Sequence, residues 1–369
     1  MDQEPQQQEL DFFAPEDSLE GDLIAPDDEP DADNGDLSDG RSDNPFAADK
    51  VDTVALFDPA ALAPLENSNA SAGRDLQQRN KRLIEDLRAS GPRRQFLLHA
   101  EALQRLDALR AEMPHFVEVL DELADHLALA REARRPLHAP PLLLLGPPGV
   151  GKSFFCNQLA QALGLPTHRL AMDNAQGPSL LSGSASYWSN SQTGLVFKAL
   201  ALGPHISPLI LLDEIDKAPR ESQYDPLASL HGLLEPSTAQ HFQDASLALP
   251  LDARFVLWVA TANAVSGLDG PLRSRFSVHA IPAPTPDQAR GIAASVVQDV
   301  LQQSGLPLEI SPELLDRLAE RTPRQQRQSF ERALGRAVRF GRAVVVADDL
   351  PTANVAEAPH RSIGFVPAP

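Results

Sequence analysis

The sequence predicts an α/β protein: a doubly wound parallel sheet with helices on both faces, followed by a small all-α domain. Three short apolar runs predict the sheet, because strands buried on both faces of a parallel sheet read as continuous hydrophobic segments. They are PLLLLG at 141–146, PLILLDE at 208–214 and RFVLWVATAN at 254–263. Helical stretches separate them, and this alternation is typical of the fold class.

The segments on either side of the predicted sheet are expected to be helical. Before it, residues 93–112 and 115–134 carry apolar side chains at three- and four-residue steps. After it, helices are predicted near 287–304, 312–321 and 323–341. The predicted domains are an acidic tail (1–80), a helical lead-in (81–140), the sheet domain (141–283), a small helical lid domain (284–350) and a loose C-terminal tail (351–369).

Charge is distributed unevenly along the 369 residues. Residues 1–80 carry 21 acidic and 4 basic side chains, whereas the rest of the chain carries 30 and 28. An acidic segment rich in Pro, Gly, Ser, Asn and Gln is predicted to be disordered. Its apolar islands, such as Phe12–Phe13 and Val54–Leu56–Phe57, leave two interpretations open. They belong to a solvating tail, or they are docking motifs that fold on a partner.

Composition excludes several function classes. The single cysteine, Cys156, rules out a disulfide framework and a cysteine-based zinc site, and it fits a cytoplasmic location. The acidic N-terminus predicts no signal peptide, and we expect no membrane span because no run of about 18 apolar residues occurs. The nearly neutral body disfavours a nucleic-acid partner, because phosphate backbones attract basic surfaces.

Residues 146–153 read GPPGVGKS, a phosphate-binding loop between an apolar strand and a periodic helix, which is the context that this motif requires. Its glycines let backbone N–H groups turn toward phosphate oxygens. Lys152 supplies a cation to the β- and γ-phosphates, and Ser153 offers a hydroxyl to Mg²⁺, so ATP and Mg²⁺ are the expected cofactors. The residues assigned to nucleotide binding are Gly146, Pro147, Pro148, Gly149, Val150, Gly151, Lys152, Ser153 and Phe154.

Two other predicted strands end in polar residues that suit nucleotide hydrolysis. Asp213 can reach Mg²⁺ through water, and the adjacent Glu214 can orient and activate an attacking water. Asn263 ends the third strand, where it either holds the water or the γ-phosphate or only caps the next turn. Together these strand ends predict hydrolysis and not only nucleotide binding.

These motifs resemble those of the AAA+ superfamily of ring ATPases, and residues 141–345 resemble the ATPase module of Lon-type proteases. The resemblance covers a little over half of the chain. It extends to the stretches DPLASLHGLLEPSTAQHFQD (225–244), VATAN (259–263) and GPLRSRF (270–276). It implies that Lys152 and Ser153 are the Walker A residues, Asp213 and Glu214 the Walker B pair, and Asn263 the sensor-1 residue.

The resemblance also implies an arginine finger and a second sensor. Arg275 falls at the finger position, from which it would act in trans on the nucleotide of the neighbouring subunit. Arg273, two residues earlier, could share or take that role, and the reading of both as solvated cations stays open. Arg324, in TPRQQRQSFERAL (322–334), falls at the sensor-2 position and is assigned to the nucleotide site.

Residues 182–194, SGSASYWSNSQTG, place Tyr187 and Trp188 together in a polar stretch, although the chain has only two Tyr and two Trp. The resemblance implies that this stretch is a pore loop and that Trp188, preceded by Tyr187, grips the substrate polypeptide. An aromatic ring suits that role because its apolar face contacts any side chain. Without the resemblance, a local core or a fixed interface would explain the pair.

The predicted function is an ATP-hydrolysing motor that remodels, unfolds or disassembles protein substrates by threading them through a homo-oligomeric ring, expected to be a hexamer. Only residues 342–369 follow the last predicted lid helix, so the Ser–Lys protease domain of Lon is not expected here. Two alternatives stay open: a nucleotide-controlled scaffold or regulator whose tail recruits partners, and a nucleic-acid motor. A pore loop without Lys or Arg argues against the second.

Overall fold

The computed structural model describes residues 52–69, 74–96, 101–185, 191–219, 224–265 and 268–351. Its strands are β1 (Thr53–Ala55), β2 (Arg93–Gln95), β3 (Leu142–Leu145), β4 (Thr167–Ala171), β5 (Leu209–Asp213), β6 (Phe242–Asp244), β7 (Leu247–Leu251), β8 (Leu257–Ala262), β9 (Ser277–Ala280), β10 (Glu309–Ile310) and β11 (Val344–Val345). Its helices are α1 (Leu62–Asn69), α2 (Arg74–Ser90), α3 (Ala102–Glu112), α4 (Val117–Glu132), α5 (Lys152–Leu163), α6 (Ser179–Ser182), α7 (Leu195–Ala201), α8 (Leu230–Leu233), α9 (Pro236–Ala239), α10 (Gly270–Arg273), α11 (Pro286–Ser304), α12 (Pro312–Ala319) and α13 (Pro323–Arg339).

The centre of the fold is a five-stranded parallel sheet with the strand order β4–β5–β8–β3–β9. β5 and β8 are buried along their whole length, as their continuous apolar runs predict. Helices cover both faces of the sheet, so the predicted fold class is confirmed. The edge strand β9 was not predicted, because its sequence SVHA is short and contains no apolar run.

Alternate residues of the inner strands pack into two separate cores, one on each face of the sheet. Leu142 and Leu144 of β3 face the core formed with α3, α4 and α5. Leu143, between them, faces the other core, to which α1, α2, α7 and the antiparallel hairpin β6–β7 contribute. This division follows from the two-residue period of a strand.

The N-terminal boundary of the folded body corrects the prediction of a disordered tail that reaches residue 80. Residues 52–69 and 74–90 are folded, with β1 antiparallel to β2 and with α1 and α2 packed on the sheet. Leu56 and Phe57, one of the islands interpreted as docking motifs, are only 2% and 5% exposed. Composition was a poor guide here because α2 buries a narrow apolar stripe and leaves a highly polar face in solvent.

Residues 93–95 form β2, although the sequence analysis predicted a helix from residue 93. Arg94 explains the difference, because its side chain is buried and bonded to carbonyl groups of α7 and the preceding turn. Its Nε donates to Leu200 O at 2.8 Å, and its Nη1 donates to Gly91 O at 2.8 Å. Burial lowers the pKa of this guanidinium. The buried arginine therefore anchors β2 against the sheet domain.

Leu87→Ala is expected to lower the free energy of unfolding by about 2–5 kcal/mol, because Leu87 of α2 is fully buried against the sheet. Equilibrium unfolding in denaturant measures this loss. Lys81→Ala on the same helix is the control, since its pair with Glu85 is exposed and its loss should change stability by less than about 0.5 kcal/mol. Equal effects of the two substitutions would contradict the packing of α2.

The predicted lid helices are confirmed as α11, α12 and α13, which share a core of their own around Phe330. Capping boxes begin two of them, with Thr285 and Gln288 on α11 and Thr322 and Gln325 on α13. One short parallel pair, β10 with β11, adds to the helices.

None of the helices in the described ranges is long and apolar enough to cross a membrane.

Candidate active site

The loop at 146–151 joins β3 to α5 at the carboxyl end of the sheet. Gly149 and Gly151 have φ angles of +82° and +97°, in the region that favours glycine. Because α5 begins at Lys152, its N-terminal N–H groups face the same space and favour an anion. The residues of this motif that line the adjoining cleft are Pro148, Gly149, Val150, Gly151, Lys152, Ser153 and Phe154.

Lys152 is 7% exposed and its ammonium group donates to three oxygens. They are Gly146 O at 2.7 Å, Pro147 O at 3.0 Å and Asn263 Oδ1 at 3.0 Å. Burial lowers the pKa of Lys152, against the opposing effect of nearby carboxylates. The structure thus brings the predicted sensor-1 residue into direct contact with the predicted phosphate-binding lysine.

Asp213 is a buried carboxylate at the end of β5, and both of its oxygens are hydrogen-bonded. Ser153 Oγ donates to Oδ1 at 2.8 Å, Thr261 Oγ also donates to Oδ1 at 2.6 Å, and Arg169 Nε donates to Oδ2 at 2.9 Å. Burial raises the pKa of this carboxyl, but these donors outweigh it and hold the pKa below its usual value. Asp213 is therefore ionised at neutral pH.

Among the described residues, Ser153 Oγ and the carboxylate of Asp213 are the protein oxygens that could hold a divalent metal ion. Both are the hard donors that Mg²⁺ prefers, and Mg²⁺ usually takes most of its remaining ligands from water and nucleotide phosphates. A single carboxylate and one hydroxyl at the mouth of a phosphate loop therefore fit this ion.

Glu214 adopts a left-handed backbone conformation, with φ of +56° and ψ of +49°, which is uncommon for a residue with a side chain. Its N–H donates to Thr261 Oγ at 2.9 Å, and its Oε2 accepts a hydrogen bond from Lys217 Nζ at 2.9 Å. Strained conformations of this kind concentrate at functional sites. The carboxylate lines the cleft and is 41% exposed, so water reaches it.

Sequence reasoning missed residues that position the predicted ones, among them Thr261 and Asp216. Thr261 bridges the acidic pair, because its hydroxyl donates to Asp213 and accepts from the N–H of Glu214. Asp216 Oδ2 accepts the N–H of Asn263 at 3.1 Å, which fixes the backbone beside the lysine. Thr261 stood in the quoted VATAN run and Asp216 follows the acidic pair, but only the fold shows their partners.

One cleft of about 810 Å³ between the sheet domain and the lid is lined by the predicted residues Lys152, Ser153, Asp213, Glu214, Asn263 and Arg324. Apolar walls come from Met113 and Val150 on one side and from Ile292 and Val296 of α11 on the other. His115, whose Nε2 lies 3.0 Å from Val150 O, has a pKa lowered by burial and is neutral at pH 7. Met113 and His115, which precede β3, thus belong to the site. The sequence analysis had assigned this part of the chain only to packing helices.

Two arginines of α13 line the cleft, and their surroundings differ. Arg327 Nη1 donates to Asp299 Oδ2 at 2.6 Å, and its Nε lies 3.2 Å from Glu331 Oε1. Arg324 is exposed on the first turn of the helix and has no ion pair within the described ranges. The assignment of Arg324 as the sensor-2 residue stays a prediction.

Arg275 lies outside the lining of this cleft. Its Nη1 donates to Pro271 O at 2.7 Å, and its Nε lies 3.9 Å from Glu235 Oε2. The neighbouring Arg273, on α10, is exposed. The assignment of Arg275 as the finger, with Arg273 as its alternative, stays a prediction.

Tyr187 and Trp188 fall in residues 186–190, outside the described residues. The described residues on either side hold the two ends of this segment together. Ser184 N donates to Gln192 O at 3.0 Å, Gln192 N donates to Ser184 Oγ at 2.7 Å, and Ser191 Oγ donates to Ser184 O at 2.8 Å. Ser184, Ser191 and Gln192, which flank these two residues and are bonded to one another, are called the base of this segment.

A buried carboxylate, Asp244 of β6, supports this base. Its Oδ2 accepts the N–H of Gly194 at 2.7 Å, and its Oδ1 accepts from Ser246 N at 2.9 Å and Ser246 Oγ at 2.6 Å. Burial raises the pKa of Asp244. This carboxylate lies at the end of the 225–244 stretch, so that stretch, which is part of the Lon resemblance, contacts Gly194 beside the base of the segment.

The site combines a phosphate loop, an acidic strand end and, between them, a polar strand end. On a parallel sheet with a helical lid, this combination defines a P-loop nucleoside triphosphatase. Residues 142–282 match the family model described as ATPase family associated with various cellular activities (AAA). The chain therefore contains an AAA ATPase domain. Membership of this family implies ATPase activity and binding of a nucleotide together with a divalent metal ion.

The curated relatives of the chain include Lon proteases. The chain is 32% identical over 227 residues to Lon protease of Phenylobacterium zucineum, covering 60% of this chain and 28% of the relative. It is 30% identical over 251 residues to the peroxisomal Lon protease homolog 2 of Spinacia oleracea, covering 66% and 28%. The chain is thus related to the ATPase module of Lon and spans less than a third of the length of these relatives.

Among solved structures, a mutant of Thermotoga maritima RuvB matches with a TM-score of 0.44 and 17% identity. The match covers 63% of this chain and 67% of the RuvB chain. At this level the likeness carries no argument about function.

Proposed function

We propose that the protein is a Mg²⁺-dependent ATPase that works in an oligomeric ring and uses ATP hydrolysis to remodel, unfold or disassemble protein substrates. The observation that carries the proposal is the position of the predicted residues relative to the cleft. Lys152, Asn263 and Glu214 meet in it, whereas Arg275 lies outside its lining. If Arg275 acts on a nucleotide, that nucleotide would belong to a neighbouring copy, and assembly would be a condition for turnover.

The side chains of the cleft suit an in-line hydrolysis. Lys152 would bind the β- and γ-phosphate oxygens, exchanging its carbonyl partners for anionic ones. Glu214 would take a proton from the water that attacks the γ-phosphorus, and Asn263 would orient that water. The bond from phosphorus to the β–γ bridging oxygen breaks, which leaves ADP and phosphate. A Mg²⁺ ion held near Ser153 and Asp213 would neutralise charge on the phosphates.

The Lon relationship supports a polypeptide as the substrate. Ser184 and Gln192, which flank the segment with Tyr187 and Trp188, are hydrogen-bonded to each other, and Asp244 accepts the N–H of Gly194 beside them. A substrate loop between these flanking residues would move together with the ATPase domain that carries it. A six-membered ring, partner docking on the N-terminal tail and a cytoplasmic location belong to the same proposal.

Unfolded polypeptide is expected to accelerate ATP turnover of the full chain, and Trp188→Ala is expected to remove this acceleration while basal turnover persists. The reason is that Trp188 would contact the substrate and not the nucleotide. The measurement is steady-state ATP hydrolysis with and without an unfolded protein. Phe340→Ala is the matched control, because Phe340 is an exposed aromatic on the lid, 60% exposed, and should leave the response intact.

The outcomes separate the alternatives. If unfolded polypeptide does not change the rate of ATP hydrolysis, the threading proposal is contradicted, and the scaffold or the nucleic-acid motor is favoured. Acceleration that survives Trp188→Ala would leave the remodelling proposal standing but remove Trp188 from the substrate contact.

A further inference from the structure

Arg169, on the edge strand β4, forms an ion pair with the carboxylate that faces the metal site. Its Nε donates to Asp213 Oδ2 at 2.9 Å, and its Nη2 contacts the same oxygen. Arg169 also lines the nucleotide cleft. None of the site assignments made from the sequence includes this residue.

The two oxygens of Asp213 are therefore fully engaged. Oδ1 accepts from Ser153 and Thr261, and Oδ2 accepts from Arg169 alone among the described residues. A hydroxyl can rotate and offer a lone pair to a cation, but a guanidinium has no acceptor atom. A divalent cation that approaches Asp213 through Oδ2 therefore meets a positive group already in place.

The exposure of the two side chains indicates which partner of the Arg169–Asp213 ion pair can move. The side chain of Asp213 is 5% exposed, whereas that of Arg169 is 60% exposed. A buried carboxylate left without a countercharge is strongly unfavourable, but an arginine that moves into water keeps its hydration. Arg169 can thus exchange with another cation, while Asp213 stays fixed at the end of β5.

We propose that Arg169 is a positioning residue that holds Asp213 in the nucleotide-free state and competes there with the divalent cation, so that it sets how much Mg²⁺ the site requires. The inference rests on the proposed use of Mg²⁺ and nucleotide.

The test measures binding of a fluorescent ADP analogue to the full chain by anisotropy, with Mg²⁺ varied from an EDTA baseline upward. Arg169→Gln is expected to lower the half-saturating Mg²⁺ concentration at least about fivefold, the lower end of a typical coupling between two sites. Affinity in EDTA should stay within about twofold. Arg169→Lys keeps the charge without the forked donor and should give an intermediate shift.

Arg254→Gln is the matched control. Arg254 Nη2 lies 2.7 Å from Asp252 Oδ2, and this ion pair is outside the lining of the cleft. The Mg²⁺ dependence of this variant should equal that of the unmodified chain, and thermal melting without ligands reports whether each variant folds. If Arg169→Gln weakens binding in EDTA without a Mg²⁺ shift, Arg169 is a phosphate ligand and the inference is wrong. An unshifted curve also overturns it. If the unmodified chain binds no nucleotide at any Mg²⁺ concentration, the proposed function itself fails.

Discussion

Glu214→Gln is expected to slow ATP hydrolysis about a hundredfold to ten-thousandfold, the usual contribution of a general base, while nucleotide binding persists. The substitution keeps the shape of the side chain and the left-handed backbone of the residue. It removes only the carboxylate that would accept a proton from water. Single-turnover hydrolysis measures the chemical step, and anisotropy with a fluorescent nucleotide measures binding on the same samples.

Lys217→Gln separates the role of the base from that of its ion pair. Lys217 Nζ lies 2.9 Å from Glu214 Oε2, and this hydrogen bond raises the pKa of Lys217. The pair is exposed and worth about 0–1 kcal/mol, so the control should change turnover by no more than about fivefold. If both variants lose turnover equally, Glu214 acts by holding Lys217 and not as the base. Undiminished turnover of Glu214→Gln would remove it from the mechanism.

Arg275→Ala is expected to reduce turnover about 10³- to 10⁵-fold if Arg275 supplies the finger cation. The loss should occur although Arg275 lies outside the cleft lining of its own chain. Steady-state hydrolysis at saturating ATP measures it. Arg273→Ala is the matched control two residues away, and a larger loss in this control would transfer the role to Arg273.

Complementation tests whether the residue acts between subunits. Arg275→Ala has an intact Glu214, and Glu214→Gln has an intact Arg275, so mixed assemblies contain some sites with both groups. Each variant alone should be nearly inactive, and the mixture should recover part of the turnover. No recovery, in mixtures shown by size to exchange subunits, would mean that the finger acts within one chain.

The sheet and the lid could be predicted because their patterns are local. Continuous apolar runs identify β3, β5 and β8, and the capped, periodic segments identify α11, α12 and α13. The strand β9 and the folded N-terminal segment escaped prediction. Leu56 and Leu87 are buried only because the sheet provides a surface for them, and that surface comes from residues far along the chain.

The residues of the site also divide into those that a local pattern identifies and those that only distant contacts identify. GPPGVGKS is a contiguous motif with a fixed geometry, so its lysine and serine could be assigned by reading along the chain. Thr261, Asp216 and Arg169 act through contacts with residues 44 to 48 positions away. Such contacts depend on strand order and register, which nearby residues do not specify.

By itself, the sequence determined the fold class, the phosphate loop, the acidic strand end and the relationship to the Lon ATPase module, because each is written in a short pattern of residues. Only the tertiary structure decided that the N-terminal segment packs on the sheet domain, that Lys152 contacts Asn263, and that Arg169 forms an ion pair with Asp213. The physical reason is that burial and ion pairing depend on which strands become neighbours, and that is settled only when the whole sheet has formed.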